Sequence, residues 1–232
     1  MNTLSDRDRK TTAFLFNPKE EHLDFLYEVE TRAWNVTGEN LTASREKLLE
    51  RITSHGNSQT VVLATVNEKA AGSQYAFRFN WDEDINNLKS WDQYTNNGWT
   101  SQVHKPDGNT GFLVGVGVIP EFRGQKFEHN LKWPGTYRLS ELLIAFTLDD
   151  LFDKGAKQVI ANARVPFYHK RPDINIKEYC DFRRGDGLLF DPVLRFHERM
   201  GARIIKPIGY SMEDEESLNA GCWVLYQQKF VC

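Results

Sequence analysis

Hydrophobic positions along the chain recur with two different periods. Some segments carry runs of apolar and β-branched residues, as strands do, and others repeat apolar residues every three or four positions, as helices do. The predicted strands cover 12–16, 60–66, 71–79, 111–119, 158–163, 202–208 and 222–230. The predicted helices cover 17–34, 43–52, 137–152 and 191–200. The alternation in the second half predicts an α/β fold with a mixed sheet and helices on its faces.

The clearest helix lies at 137–152, where six apolar residues form one wide face. These residues are Leu139, Leu142, Leu143, Phe146, Leu148 and Leu151. Gly155 follows at the position where a glycine often ends a helix. The helix at 191–200 has equally clear ends, with Asp191 as its cap, Pro192 as its first residue and Gly201 after it.

The segment 80–109 has no sustained periodicity and is rich in Asn and Asp. It also holds Trp81, Trp91, Tyr94 and Trp99. Such a long irregular segment inside a compact domain is usually functional, and one interpretation is a lid. The other interpretation is a surface insertion whose tryptophans fill a small core of their own.

Composition limits the class of protein. The 232 residues include 29 Lys+Arg and 32 Asp+Glu, and the net charge of −3 gives no electrostatic footprint for nucleic acid. No apolar run approaches the roughly 18 residues that a membrane span needs. Cys180, Cys222 and Cys232 lack metal or redox spacing, so we expect reduced thiols, no metal and a cytoplasmic protein. We expect a flexible tail at 1–11 and one domain at 12–232.

Candidate chemistry centres on the segment 116–125, which reads VGVIPEFRGQ. A strand runs through a proline turn into an Arg-Gly loop that leads towards the long helix. A loop of this kind presents backbone N–H groups at a helix N-terminus, which favours anions. The glycines at 115 and 117 suit a strand that another backbone or a ligand approaches closely.

The segments VIPEFRG at 118–124 and FHERMGA at 196–202 resemble two signature segments of the GCN5-related N-acetyltransferase (GNAT) superfamily. The element order is also similar over about 12–230. The resemblance implies an acyl-CoA N-acyltransferase fold with a central, mostly antiparallel sheet flanked by helices. It implies transfer of an acyl group from a CoA or acyl-carrier-protein thioester to a primary amine of a small molecule or peptide.

The resemblance also implies where the donor binds. In that family the strand before the loop splays from its neighbour and binds the pantetheine arm, and the loop binds phosphate. Carried over, Val116, Gly117 and Val118 contact pantetheine. The phosphate ligands are then Arg123, Gly124, Gln125 and Lys126.

This sequence departs from the family pattern after the Arg-Gly loop. Lys126 and Glu128 stand at glycine positions of the pattern, and 127–134 intervene before the helix. Gly135, Thr136 and Ser140 are candidates to rebuild the phosphate cradle. The alternative is a donor on an acyl carrier protein, which carries a single phosphate.

His197 stands where many relatives place a tyrosine that protonates the leaving thiolate. An imidazole ordinarily titrates near pH 6.5 and can act as acid or base. Asp191 and Arg164 are the other catalytic candidates, and the insertions 80–109 and 166–187 are expected to build the acceptor pocket. The candidate substrate contacts are Trp34, Asn162 and Tyr168.

The sequence leaves alternatives open. GNAT-like loading domains of polyketide and peptide natural-product biosynthesis are similar here, with His in the same place, and are associated with decarboxylation of malonyl thioesters. They tend to carry an Arg around 207–212, where this chain has GYSM at 209–212. We expect an acyltransferase of specialised metabolism, including fatty acyl transfer to Lys or ornithine side chains. A malonyl-thioester decarboxylase and a non-catalytic acyl-thioester-binding module are the alternatives.

Overall fold

A computed structural model describes residues 11–34, 41–130 and 135–229 of the chain. In these residues nine strands form one sheet in the order β6-β5-β1-β2-β3-β4-β7-β9-β8. The strands are β1 (Thr12–Phe16), β2 (Thr60–Val66), β3 (Lys69–Phe79), β4 (Thr110–Val118), β5 (Lys126–His129), β6 (Tyr137–Arg138), β7 (Gln158–Arg164), β8 (Arg203–Ile208) and β9 (Gly221–Tyr226). The helices are α1 (Leu23–Trp34), α2 (Arg45–Thr53), α3 (Trp91–Thr95), α4 (Leu139–Asp153), α5 (Ile176–Asp181) and α6 (Pro192–Arg199).

The sheet is mostly antiparallel, as predicted. Only β1 with β5 and β4 with β7 pair in parallel among the described strands. The β2–β3 hairpin turns at Asn67 and Glu68, whose φ angles are 50° and 63°. Two central residues in this left-handed region match the twist of the flanking strands.

The seven predicted strands and four predicted helices all exist; β1 and β2 have the predicted bounds, and the other elements have shifted ends. The short strands β5 and β6 fall where an insertion at 127–134 and the first residues of a helix were predicted. Arg138 and Tyr137 pair with Lys126 and Phe127, so α4 begins at Leu139 rather than at 137. The tail at 1–10, Trp133 within 131–134, and 230–232 lie outside the described residues.

Helices cover both faces of the sheet. On one face, which we call the α4 side, α4 buries Leu139, Leu142 and Leu143 against β1, β2 and β3. On the other face, the α1 side, α1 and α2 bury residues such as Leu26 and Leu48. None of the helices in the described ranges is long and apolar enough to cross a bilayer.

The segment 80–109 covers the rest of the α1 side. Trp81 and Leu88 are buried in one cluster with Phe77, Phe112 and Trp223, which belong to the sheet. The interpretation that these tryptophans fill a core of their own is therefore wrong. Trp81 and Trp91 pack on the α1-side faces of β3, β4, β7 and β9.

Candidate functional site

A gap opens in the sheet where β4 and β7 stop pairing. The two parallel strands pair from Thr110 with Gln158 to Leu113 with Ala161. Beyond that point β4 stays with β3 as far as Val118, and β7 stays with β9 as far as Arg164. The strands therefore diverge like the arms of a V, and the facing edge of 114–118 is free of strand pairing.

A β-bulge marks the apex of the V. Leu113 pairs with Ala76 but Gly115 pairs with Tyr75, so Val114 is an extra residue in β4. Bulges often stand beside active sites, where they redirect the backbone. Trp91 Nε1 donates to the Val114 carbonyl at 3.0 Å, so α3 holds the bulge in place.

Two adjoining cavities follow the gap. The inner cavity, of about 730 Å³, is lined from both faces of the sheet, including β4, β7, α1, α4 and α6. The outer cavity, of about 320 Å³, lies between the 122–124 loop and the first turn of α4. Trp34, Val116 and Ser140 line both. One path therefore runs from the surface loop through the V to the α1 side.

The outer cavity contains some of the predicted donor contacts. Val116, Gly117, Val118, Arg123 and Gly124 line it together with Ser140. Gly124 has a φ of 77°, a left-handed conformation that favours glycine. An added Cβ at Gly117 would lie 3.2 Å from Ala33 Cβ and 3.3 Å from Trp34 Nε1. That glycine therefore permits the close approach of α1 to β4.

The Arg123 guanidinium is held by the backbone. Nε donates to the Val118 carbonyl at 2.9 Å and Nη2 donates to the Ala33 carbonyl at 2.8 Å. A cation near the last turn of α1 also interacts favourably with the helix dipole. Arg123 thus ties the loop to α1 and β4, and a phosphate contact from its other N–H groups stays a prediction.

The remaining predicted phosphate ligands lie outside both cavities. Gln125 bonds the Glu121 carbonyl, Lys126 is exposed in β5, and Gly135 and Thr136 are exposed before β6. The N-cap of α4 is Arg138, whose backbone N–H donates to Glu141 Oε2 at 2.8 Å. Of the three candidates to rebuild a cradle, the structure brings only Ser140 to the cavities.

His197 lines the inner cavity from α6 and is 6% exposed. Its Nδ1 lies 2.6 Å from the Tyr226 hydroxyl, and among the described residues Nε2 has no hydrogen-bond partner. Burial lowers the pKa of His197 to about 4. The ring is therefore neutral near pH 7, and its ordinary titration near pH 6.5 does not apply in the folded protein.

This lowered pKa predicts a pH dependence of stability. Unfolded protein binds the His197 proton near pH 6.5, whereas folded protein binds it only near pH 4. The unfolded state therefore holds more protons between these values, and the free energy of unfolding falls as the pH falls through the window. Burial also lowers the pKa of His104 to about 4, so His104 acts in the same direction.

Urea denaturation between pH 4 and 7 measures this dependence. We expect a shallower loss of unfolding free energy in His197→Gln than in the wild-type protein, and a comparable flattening in His104→Gln. Parallel curves for wild type and His197→Gln would show that His197 has the same pKa in both states.

Arg164 and Asn162 lie together on the α1 side, as the alternation of β7 predicts. Arg164 donates from Nε and Nη2 to Asp214 at 2.6 Å each, and from Nη2 to Glu216 at 3.2 Å. Asn162 Oδ1 accepts from Ser211 Oγ at 2.8 Å. Both side chains line the inner cavity, but Arg164 is committed to its two carboxylates.

Two predicted site residues lie away from the cavities. Asp191 caps α6, and its oxygens accept from the backbone of Val193 and Leu194, the Tyr179 hydroxyl and the Phe167 N–H. Tyr168 donates to the Ile174 carbonyl at 3.2 Å. Neither lines the inner or the outer cavity, so both act as supports for the 166–191 region.

Several charged cavity residues were missed from the sequence. Glu30, Lys47, Arg51 and Asp92 all line the inner cavity on its α1 side. Burial and the nearby Glu213 raise the pKa of Asp92, against a lowering by its hydrogen bond from Tyr210. Within the described ranges, no group of three or more His, Cys, Asp or Glu side chains is placed to hold a metal ion.

Comparison with known proteins identifies relatives. No family model matches the chain. It is 29% identical over 168 residues to the uncharacterized N-acetyltransferase YkwB of Bacillus subtilis (strain 168), which covers 72% of this chain and 68% of that protein. The loading GNATL domain of CurA from Lyngbya majuscula superimposes with a TM-score of 0.74 and 27% identity, over 93% of this chain and 97% of that domain.

A further solved structure shares the fold. The GphF GNAT-like decarboxylase in complex with isobutyryl-CoA gives a TM-score of 0.71 at 24% identity, over 92% of this chain and 98% of that one. Together, the relatives and the V-shaped gap support a GNAT-type acyltransferase. The chain has the fold of the GCN5-related N-acetyltransferase superfamily and is similar to a divergent member of it.

Proposed function

We propose that the protein transfers an acyl group from a phosphopantetheine thioester, carried by CoA or an acyl carrier protein, to an amine of a small molecule or peptide in specialised metabolism. The observation that carries the proposal is the inner cavity. It joins the free edge of β4 and the neutral His197 on the α4 side to a group of carboxylates on the α1 side. A donor and an acceptor can therefore meet at the V from opposite faces.

The donor lies along the free edge of β4. The pantetheine amides pair with the backbone between Gly115 and Val118, and the thioester carbonyl lies at the bulge. Backbone N–H groups there stabilise the oxyanion that forms when the amine attacks. The apolar side chains of Ile144, Val193 and Phe196 line the same side of the cavity and suit an acyl chain.

His197 handles the proton. With Nδ1–H donating to Tyr226, Nε2 is free to accept the proton that the attacking amine loses. The developing negative charge of the intermediate raises the basicity of this buried ring. Nε2 then returns the proton to the sulfur as the C–S bond breaks, so the products are an amide and a neutral thiol.

Decarboxylation of a malonyl thioester is the second candidate, because GphF is named as a GNAT-like decarboxylase. A malonyl carboxylate needs a cation near the thioester. The cations among the described residues of the inner cavity are Lys47, Arg51 and Arg164. Arg164 is paired with Asp214. Lys47 and Arg51 donate to the Asn97 and Gly98 carbonyls on the α1 side of the cavity, away from His197 on the α4 side. Around 207–212, where the similar loading domains tend to carry an Arg, Tyr210 and Met212 line the cavity instead. The lack of a cation at these two positions favours amine acylation over decarboxylation.

The test offers acetyl, longer acyl and malonyl thioesters of CoA and of a carrier protein, with and without amines. We expect the donor to release its thiol only when an amine is present. The amount of thiol released should equal the amount of amide formed, which mass spectrometry measures. Release of CO₂ from the malonyl donor without amine would instead establish the decarboxylase. Binding of acyl-CoA with no turnover for any amine would establish a non-catalytic module.

Asp92→Asn serves as the companion variant in that assay. Because a charged hydrogen bond contributes about 1.5–3 kcal/mol, we expect the KM for an amine to rise about tenfold or more, with donor binding unchanged. Asp82→Asn is the matched control, since Asp82 lies in the same 80–109 segment but does not line the cavity. Equal KM values in both variants would remove Asp92 from the acceptor site.

A further inference from the structure

The mouth of the inner cavity carries two carboxylates that face solvent without a cation. Asp92 is half-buried, Glu213 is exposed, and both line the cavity together with Tyr210, which is 49% exposed. Asp92 Oδ2 accepts from the Tyr210 hydroxyl at 3.4 Å. Within the described ranges, neither carboxylate has an ion-pair partner. We call Asp92, Tyr210 and Glu213 the acidic rim.

The two carboxylates of the acidic rim act on each other. Burial and the negative charge of Glu213 raise the pKa of Asp92, and the hydrogen bond from Tyr210 opposes that rise. The positive side chains Lys47 and Arg164 of the same cavity bond the Asn97 carbonyl and Asp214 instead. Because like charges repel, a cation that enters from solvent would stabilise both carboxylates.

The acidic rim is tied to the reaction centre through α3. Asp92 follows Trp91, whose Nε1 donates to the Val114 carbonyl at the β4 bulge at 3.0 Å. The Asp92 backbone N–H donates to the Ser211 carbonyl at 3.4 Å, so α3 also holds the 210–213 segment. A ligand bound at the rim therefore has the bulge within the same cavity.

An open nitrogen lies deeper in that cavity. His197 is 6% exposed and comes from α6. Across the part of the chain that the structure describes, its Nε2 has no hydrogen-bond partner, and this atom is not sealed off from the cavity. Buried polar groups are nearly always bonded, so this open nitrogen independently indicates a ligand group inside the cavity.

The rim and the imidazole suit two different nitrogen atoms. A nitrogen held by two carboxylates stays protonated, because nearby negative charge favours the charged form of an amine. A protonated amine has no lone pair and cannot attack a thioester. The neutral ring of His197 instead suits a nitrogen that loses a proton. The reacting nitrogen therefore lies near His197, and the rim holds another cation.

We infer that the acidic rim is a subsite for a second ammonium group of the acceptor, which makes the acceptor a diamine or polyamine. That ammonium pairs with Asp92 and Glu213 and lies against the Tyr210 ring, since aromatic faces attract cations. The other nitrogen reaches the β4 bulge, forms the amide bond as the C–S bond breaks, and passes its proton through His197 to the sulfur. The inference rests on the proposed function and narrows its acceptor.

The same subsite predicts that acylation stops after one nitrogen. Acylation removes the charge of the nitrogen that reacts, so the product keeps a single ammonium. To react again, that nitrogen must leave the rim, and the carboxylates then lose their cation. We therefore expect the second acylation to be at least about tenfold slower than the first, measured by mass spectrometry with excess donor. Equal rates for both acylations would contradict the subsite.

Paired acceptors of equal length test the second charge directly. The probes are linear diamines of three to eight carbons, each compared with the amino alcohol in which a hydroxyl replaces one amine. At the best-fitting length we expect kcat/KM, corrected for the fraction of neutral amine, to be about tenfold or more higher for the diamine. Equal values within every pair would overturn the subsite.

Variants locate the second charge at the rim. Asp92→Asn and Glu213→Gln are each expected to reduce the preference for the diamine and to leave kcat/KM for the amino alcohol unchanged. Glu213 is exposed, so its replacement is expected to leave folding intact. Asp82→Asn remains the matched control outside the cavity. An unchanged preference in both rim variants would refute the assignment.

Calorimetry without donor distinguishes this inference from the proposed function. Diamine binding that is weakened by Asp92→Asn and Glu213→Gln, without acyl transfer to any amine, supports the subsite and refutes the proposed function. Acyl transfer to amino alcohols as efficient as to diamines refutes the subsite and supports the proposed function.

Discussion

Replacing His197 with alanine is expected to lower kcat/KM for acyl transfer by about 10²–10⁴-fold, the usual contribution of a positioned acid–base group. The His197 ring is the titratable group that α6 contributes to the wall of the inner cavity, and it is neutral near pH 7 because burial lowers its pKa to about 4. In the proposed reaction, this ring accepts the proton of the attacking amine. Steady-state kinetics with the acyl-CoA and amine of the assay above measure the effect.

Two further variants separate proton transfer from packing. Tyr226→Phe leaves the ring in place but removes the hydroxyl at 2.6 Å from Nδ1, so we expect a smaller loss than in His197→Ala. His197→Gln preserves most of the volume and is expected to lose as much activity as His197→Ala. Thermal unfolding verifies that each variant folds. Activity of both His197 variants within threefold of wild type would refute the role of the ring.

Asp214→Asn is expected to lower the free energy of unfolding by about 3 kcal/mol, near the lower end of the range for breaking a buried ion pair. Asp214 is 1% exposed and accepts two hydrogen bonds from Arg164 at 2.6 Å. Glu216 keeps one contact with Arg164 at 3.2 Å, which limits the loss. In a protein of this size the change lowers Tm by about 10 °C.

The matched control for this stability prediction is Glu216→Gln. The Glu216 side chain is 40% exposed, so its ion pair with Arg164 is screened by solvent. We expect a loss of under about 1 kcal/mol in this variant. Scanning calorimetry compares both variants, and a similar small loss in Asp214→Asn would mean that Arg164 is fully stabilised by solvent and Glu216.

The sequence was informative wherever one element determined where a side chain faces. The alternation of β7 put Asn162 and Arg164 on one face, and both line the inner cavity. The cap at Asp191 and the helix after it were predicted correctly, and that helix brings His197 to the cavity. In each case the local period of a strand or helix decides the outcome.

The burial of a side chain could not be predicted from the sequence where it depends on distant parts of the chain. Glu30 and Arg51 read as ordinary charged positions of amphipathic helices. They are buried because β3, the 91–98 region and the start of α2 converge on them. No local pattern encodes that convergence, so the burial of these two charged side chains emerged only from the structure.

The departure from the family pattern after Gly124 has a similar cause. Lys126 and Phe127 pair with Arg138 and Tyr137 in two very short strands. Strands of two to four residues are too short to show a period, and their pairing joins positions on either side of an intervening loop. The sequence therefore predicted an insertion where two short strands, β5 and β6, extend the sheet at its edge beyond β1.

The divergence of β4 and β7 also affects how the protein is held together. The strands on either side of the V are joined within the sheet by only four residue pairs, from Thr110–Gln158 to Leu113–Ala161. A pantetheine arm bonded along the free edge of β4 would act as a temporary extra strand across this seam. Ligand that binds only the folded protein raises its stability in proportion to the logarithm of its concentration. The acyl donor would thus be a reactant and would also stabilise the sheet for as long as it stays bound.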